Sequence, residues 1–175
     1  FQTLSQIARS MATFLDTTPD VPEAELYEML KRNVEQSPLI YGSCVAFEPY
    51  TFDPGKRLFA PYVFKGVGGE PGRGRDGLLR MDVADAYDYM DPKWEWFHGP
   101  RNSGEAMWTE PFFDEGAGNV IMCTFVAPFF RDGKFRGTVN IDVKLDDLQE
   151  FAGRMRTGDV WMTILSRKGT FISWP

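Results

Sequence analysis

The sequence predicts an α+β domain, with a long N-terminal helix followed by an antiparallel β-sheet and flanking helices. Three observations carry this expectation. Apolar side chains near the N-terminus recur at steps of three and four, the spacing of one helical face. Further on, the texture changes to short runs rich in Val, Phe, Tyr and Ile, punctuated by Gly and Pro, which is how strands read. The regular alternation of strand and helix that a doubly wound parallel fold requires is missing.

Residues 1–15 place Phe1, Leu4, Ile7, Ala8, Met11, Phe14 and Leu15 on one stripe of an amphipathic helix. "DTTPDVPEAEL" interrupts it with two prolines, and Thr18 or Asp20 offers a cap for a second helix from about Pro22 to Gln36. Leu26, Met29, Leu30 and Val34 face inward there. Strands are expected near 40–48, 58–65, 107–112, 119–130 and 135–143, separated by an irregular middle. Asp132-Gly133 in "FFRDGKF" joins the last two in a tight hairpin, because both positions tolerate positive φ. "VKLDDLQEFAGRM" returns to helical spacing, with Leu145, Leu148, Phe151 and Ala152 inward and Asp146 and Asp147 favouring the dipole at its start. "VWMTILSRKGTFIS" closes the chain as a hairpin turning at Lys168-Gly169.

Composition bounds the function. With 175 residues, 43% of them hydrophobic, the chain suits one domain with a buried core. A net charge of −6 argues against a phosphate backbone as partner, and no basic stripe is visible. No window approaches the ~20 apolar residues needed to span a bilayer. The chain begins at Phe1 and stops directly after a hairpin, so it reads as a piece of something longer, whose flanks hold any membrane segments. Cys44 and Cys123 lie in apolar runs and read as two separate buried thiols, without the spacing of a zinc site. No cofactor or metal is expected.

"GRGRDG", Gly72 to Gly77, satisfies GxGxxG, but "LLRMDV" follows it instead of a phosphate-facing helix, so it reads as a Gly-rich loop. His98 is the only histidine, and it reads as a surface or hydrogen-bonded residue rather than a triad member. In "GTVNIDVKL" alternation puts Val139, Ile141 and Val143 on one face and Thr138, Asn140 and Asp142 on the other. The pattern admits Asp142 equally as a polar strand end or as an acid pointing into a pocket. Between Trp94 and Gly116 the chain concentrates Trp94, Trp96, Phe97, Trp108, Phe112 and Phe113 beside several acids. Pro92, Gly99, Pro100 and Gly104 break this segment into irregular pieces. Rings and acids mixed on such a scaffold suit an amine, through cation–π contact and a salt link together.

"YGSCVAFEPY", the segment from "DPKWEWFHGPRNSGEAMWTEPFF" through "RGTVNIDVKLDDLQ", and "SRKGTFISWP" together resemble the Cache family of extracytoplasmic sensor domains, particularly the double-Cache type. Such domains are carried by bacterial histidine kinases, chemoreceptors, cyclic-dinucleotide enzymes and PP2C-type phosphatases. The resemblance implies a helical stalk over 1–36, a PAS-like ligand-binding module over 37–155, and the start of a truncated membrane-proximal module over 156–175. It implies a periplasmic or extracellular, membrane-anchored sensor with no catalytic residues, a small-molecule ligand, and pairing of two copies through the first helix.

Amino-acid-binding members carry Tyr, then Arg after four residues, then Trp-Tyr after one more, a later Tyr and Asp close together, and an Asp near the end of the last strand. Tyr89 matches the first position, Trp96 the tryptophan, and Asp114 and Asp142 the two acids that hold a ligand ammonium. Trp94 stands in the place of the arginine, and Phe97 and Phe112 replace the two tyrosines. Losing the arginine removes the bidentate clamp on a ligand carboxylate. The expected ligand is therefore an amine or quaternary ammonium compound, held among Tyr89, Trp94, Trp96, Phe97, Trp108, Phe112, Asp114 and Asp142. Two competing expectations stand beside it. One is a glycoside hydrolase using two of Glu95, Glu110 and Asp114. The other is an interaction module whose pocket is filled by its own rings.

Overall fold

Helix α1, Gln2–Thr17, opens a computed structural model that describes residues 2–66, 73–155, 160 and 162–173. It buries Leu4, Ile7, Ala8, Met11, Ala12 and Leu15, as the stripe requires. Phe14, expected inward, is 37% exposed. At about 100° per residue it lies roughly a quarter turn from the centre of the stripe, and Ala12 takes the inward place. Helix α2, Glu23–Glu35, buries Leu26, Leu30 and Val34 together with Asn33. Neither Thr18 nor Asp20 caps it. Its N-cap is Pro22, whose carbonyl accepts the Glu25 and Leu26 N–H groups, while Glu23 and Glu25 place negative charge in the first turn. Asn33 ties the helices to the sheet, its amide donating to the Ser43 hydroxyl at 3.1 Å.

The strands are β1 Gly42–Phe47, β2 Pro61–Phe64, β3 Leu79–Asp82, β4 Met107–Trp108, β5 Phe112–Phe113, β6 Ile121–Arg131 and β7 Lys134–Lys144. They form one antiparallel sheet in the order β3-β2-β1-β7-β6-β4, with β5 also paired to β6. The α+β reading of the sequence holds. Two details of the sheet differ from expectation. "LLRMDV" supplies β3, so the Gly-rich loop feeds a strand and the phosphate-loop reading is excluded. The single strand expected over 107–112 is two short ones, split where Pro111 has no N–H to give a ladder.

The irregular middle holds α3, Glu95–Ser103, with Pro100 inside it. Gly99, immediately before the proline, has no Cβ to crowd the ring, and its bare Cα also admits Met107, whose sulfur would lie 2.7 Å from an added Cβ. The helix stops at Gly104, in the left-handed region at φ 71°, where the N–H returns to the Pro100 carbonyl. Asp132 and Gly133, at φ 52° and 70°, turn the β6–β7 hairpin as expected. Helix α4, Leu145–Arg154, follows with Asp146 and Asp147 in its first turn and Leu148 and Ala152 buried. A two-stranded hairpin, β8 Ile164–Leu165 and β9 Phe171–Ser173, closes the chain around Gly169 at φ 84°.

Helices α1 and α2 cover one face of the sheet, where Val139, Ile141 and Val143 join the apolar core with Cys123 and Phe125. The opposite face carries a second core under α3, built from Tyr62, Tyr89, Trp94, Trp96, Phe97 and their neighbours. Both cysteines are free and buried, one in each core. No helix among the described residues is long and apolar enough to cross a membrane.

Candidate functional site

Strand alternation turns Asn140 and Asp142 of β7 away from α1, and antiparallel pairing sets Cys44 opposite Asn140 and Thr124 opposite Asp142. These side chains, with Tyr62 from β2 and Met122 from β6, floor a cavity of about 20 Å³. Val83, Tyr87, Trp96, Phe112 and Asp114 close it from above. Gly42 makes room for the floor, because an added Cβ there would lie 2.5 Å from the Tyr62 ring. That ring stacks on Phe64 at 4.6 Å. The volume is about that of one water molecule.

Asp142 is 5% exposed. Its Oδ1 accepts the Thr124 hydroxyl at 2.7 Å. Burial pushes its carboxyl up to about 7, the Asp114 charge adds to the rise, and Thr124 and Tyr62 oppose it. The Tyr62 hydroxyl approaches close enough to act on the carboxyl, yet it meets no partner in hydrogen-bond geometry. The Asn140 Oδ1, on the same floor, is also buried without a partner. No ion pair to Asp142 or Asp114 is found among the described residues. Asp114 is raised by burial as well, but its oxygens are taken: Tyr87 donates to Oδ1 at 2.7 Å and the Gly118 N–H to Oδ2 at 2.7 Å. Asp142 is the acid left facing the cavity with the fewest partners.

Of the residues expected from the sequence, Trp96, Phe112, Asp114 and Asp142 converge on this cavity. Trp94 stands one layer out, stacked on Tyr87 at 4.2 Å and with the Lys93 ammonium 4.7 Å from its ring. Tyr89 is fully buried beneath the site, its hydroxyl donating to the Phe47 carbonyl at 2.7 Å and accepting the Phe59 N–H at 3.1 Å. Phe97 packs between Tyr89 and Phe135. Trp108 sits on the other face of the sheet, edge-on to Phe125 at 5.3 Å, because it pairs with Phe125 and shares its direction. Tyr62, Tyr87 and Thr124 were not singled out from the sequence. Thr124 was reachable through its pairing with Asp142, whereas Tyr62 and Tyr87 arrive from distant elements that no local pattern links.

The other candidates separate. Of the three candidate glycosidase acids, Glu95 and Glu110 line one outer cavity of about 320 Å³, while Asp114 lines the inner one. Hydrogen bonds from Ser166, the Lys168 N–H and Thr170 hold the Glu110 carboxyl low, the opposite of what a general acid needs. His98 sits with its Nε2 at 3.1 Å from the Met90 carbonyl. No cluster of three metal-ligating side chains occurs among the described residues.

Residues 26–150 match the sequence family described as methyl-accepting chemotaxis protein-like, first PDC sensor domain. Among curated proteins, the methyl-accepting chemotaxis protein TlpQ of Pseudomonas aeruginosa is 24% identical over 146 residues, covering 71% of this chain and 20% of its own. Among solved structures, the extracellular domain of the histidine kinase candidate soHK1S-Z6 superposes with a TM-score of 0.80 at 30% identity, covering 98% of this chain and 62% of that one. The Campylobacter jejuni chemoreceptor Tlp3 sensory domain, solved with isoleucine bound, shares the fold at a TM-score of 0.63 and 13% identity, over 98% of this chain and 62% of its own. The chain thus spans about a fifth of the curated receptor and just under two thirds of these sensor structures.

Proposed function

Because this chain belongs to the family of first PDC sensor domains of chemotaxis-receptor-like proteins, we propose that it is the ligand-binding module of a double-Cache sensor that recognises a small protonated amine. The receptor is anchored in a bacterial membrane by segments outside this chain, with residues 156–175 beginning its membrane-proximal module. Asp142 carries the ligand assignment. A buried carboxylate with no cationic partner is costly, and a ligand ammonium removes that cost by pairing with it.

The neighbouring polar atoms narrow the chemistry. Asn140 Oδ1 is a buried acceptor awaiting a donor, and a primary or secondary ammonium has N–H groups to give it and Asp142 together. A quaternary ammonium has none and leaves Asn140 unpaired. A free amino acid is disfavoured too, since its carboxylate would face Asp114 and Asp142 with no Lys or Arg on the cavity wall. Any organic amine exceeds the space available, so binding requires Trp96 and Phe112 to move outward. A ligand that binds the open arrangement better shifts the population toward it, and that difference is the signal. Nothing in this arrangement calls for catalysis, and pairing of copies through α1, with Phe14 on its exposed side, completes the reading.

A thermal-shift screen of primary, secondary and quaternary amines against amino acids and organic acids tests the assignment. Primary or secondary amines should raise the melting temperature, and Asp142→Asn should abolish the rise while Asp146→Asn leaves it. Equal responses of the two variants would discredit Asp142.

A further inference from the structure

The wall that closes the Asp142 cavity has an outer side. Trp96 and Phe112 line both the inner cavity and the outer one of about 320 Å³. Each ring is carried beside an acid that faces outward, Glu95 next to Trp96 and Glu110 two residues before Phe112. The β8–β9 hairpin occupies both acids. Glu110 Oε1 accepts the Lys168 backbone N–H at 3.0 Å, its Oε2 accepts the Thr170 hydroxyl at 3.2 Å, and the Ser166 hydroxyl bonds the same carboxylate. The Lys168 ammonium lies 3.5 Å from Glu95. At its other end the hairpin is fixed to the body of the domain. Ile172 is buried in the α1-side core, and Gln149 of α4 donates to its carbonyl at 3.3 Å.

The wall is the yielding side of the cavity. Its floor consists of β1, β2, β6 and β7, held by continuous ladders. Trp96 is carried by α3, but the Phe112 half of the wall hangs from β4 and β5, strands of two residues each, with Pro111 between them. Segments with few backbone bonds open first. The Glu110 bonds are therefore a large share of what holds this one in place.

We propose that Glu110 is a latch, a positioning residue through which the β8–β9 hairpin holds the Trp96–Phe112 wall shut over the Asp142 cavity. Filling the cavity then pulls on the hairpin, and a change at the hairpin alters access to the cavity by the same coupling energy. The regulation rests on the Asp142 cavity being the ligand site, but the latch itself is measurable without a ligand.

The two cysteines provide the measurement. Cys44 lines the closed cavity, whereas Cys123 lies in the core under α1. Burial raises both thiols, so neither reacts until its surroundings open. The folded domain is treated with neutral methyl methanethiosulfonate or cationic 2-aminoethyl methanethiosulfonate, and each cysteine is followed by peptide mass spectrometry. The thiolate attacks the reagent's sulfenyl sulfur, forms a mixed disulfide and releases methanesulfinate.

Glu110→Ala should speed Cys44 labelling by both reagents about tenfold, the equivalent of losing one or two hydrogen bonds of ordinary net strength, with Cys123 unchanged. Thr170→Val should give a smaller rise, and Glu110→Gln, which keeps an acceptor, should restore most of the closure. Lys168→Ala should do less than Glu110→Ala, because it removes only the exposed pair with Glu95 while the bond to Glu110 comes from the backbone. No change at Cys44, or equal acceleration of Cys44 and Cys123, would overturn the latch. The ratio of cationic to neutral rates reports separately on the amine reading: a ratio above one that Asp142→Asn removes supports it, and a ratio of one sinks it while the Glu110 result stands.

Discussion

The two faces of strand β7 obey different rules. Ile141 and Asp142 are adjacent in sequence, both buried, and turned to opposite sides. Toward α1 every position is apolar and the close packing of side chains accounts for the face. Toward α3 the same strand presents Asn140 and Asp142 to a cavity where two polar atoms lack partners and one carboxyl is pushed up to about 7. A face selected for stability alone has no reason to bury such groups. The difference marks where the fold gives up stability for a site.

The comparison breaks most readily at these two neighbours. Ile141→Ala should cost about 2–5 kcal/mol, as a fully buried large-to-small change does, measured by urea unfolding. Asp142→Asn should act in the other direction at pH 8, stabilising the ligand-free domain by an amount on the order of a few kcal/mol, since the amide keeps an acceptor for Thr124 and carries no buried charge. Loss of stability in Asp142→Asn at pH 8 would place the two faces under one rule.

The pH dependence sharpens the same contrast. Asp142 is raised in the folded chain relative to its unfolded value of about 3.9. Between that value and about 7 the folded state holds more protons than the unfolded one. Stability contributed by this group is thus present at low pH and lost as pH rises through that window. Melting temperature should fall from about pH 5 to pH 8 in the wild type relative to Asp142→Asn. Binding of an amine should follow the opposite sign, tightening up to about tenfold per unit as pH rises toward 7. An identical profile in both proteins would remove Asp142 from the account.

Smaller effects test how each face is built. Gly42→Ala should cost about 1–3 kcal/mol by forcing the Tyr62 ring off its seat, and it should weaken amine binding as well. Phe14→Ser, at the edge of the α1 stripe, should stay within about 0.5 kcal/mol. A cost comparable to Ile141→Ala would mean that the ring is covered in the native assembly.

Much of the fold was legible because it obeys local rules. The α1 stripe, the alternation of β7 and the Asp132-Gly133 turn follow from periodicity and backbone preference alone. Helix α3 was hidden by Gly99-Pro100, which normally breaks a helix and here is accommodated by the missing Cβ. Trp108 was grouped with the site because it lies close in sequence, but pairing with Phe125 commits it to the other face. Asp142, Asp114, Trp96 and Phe112 were reachable from pattern and resemblance. Tyr87 and Tyr62 were not, because tertiary contact alone brings them in, Tyr87 through a hydrogen bond to Asp114 across 27 residues.

The account depends on a carboxylate held uncompensated inside the domain. Carbon-13 titration of the Asp142 carboxyl in the ligand-free protein measures this directly. A midpoint near 7, falling when an amine identified by the screen is added, is the predicted result. A midpoint in the ordinary range near 4 that no amine moves would contradict it.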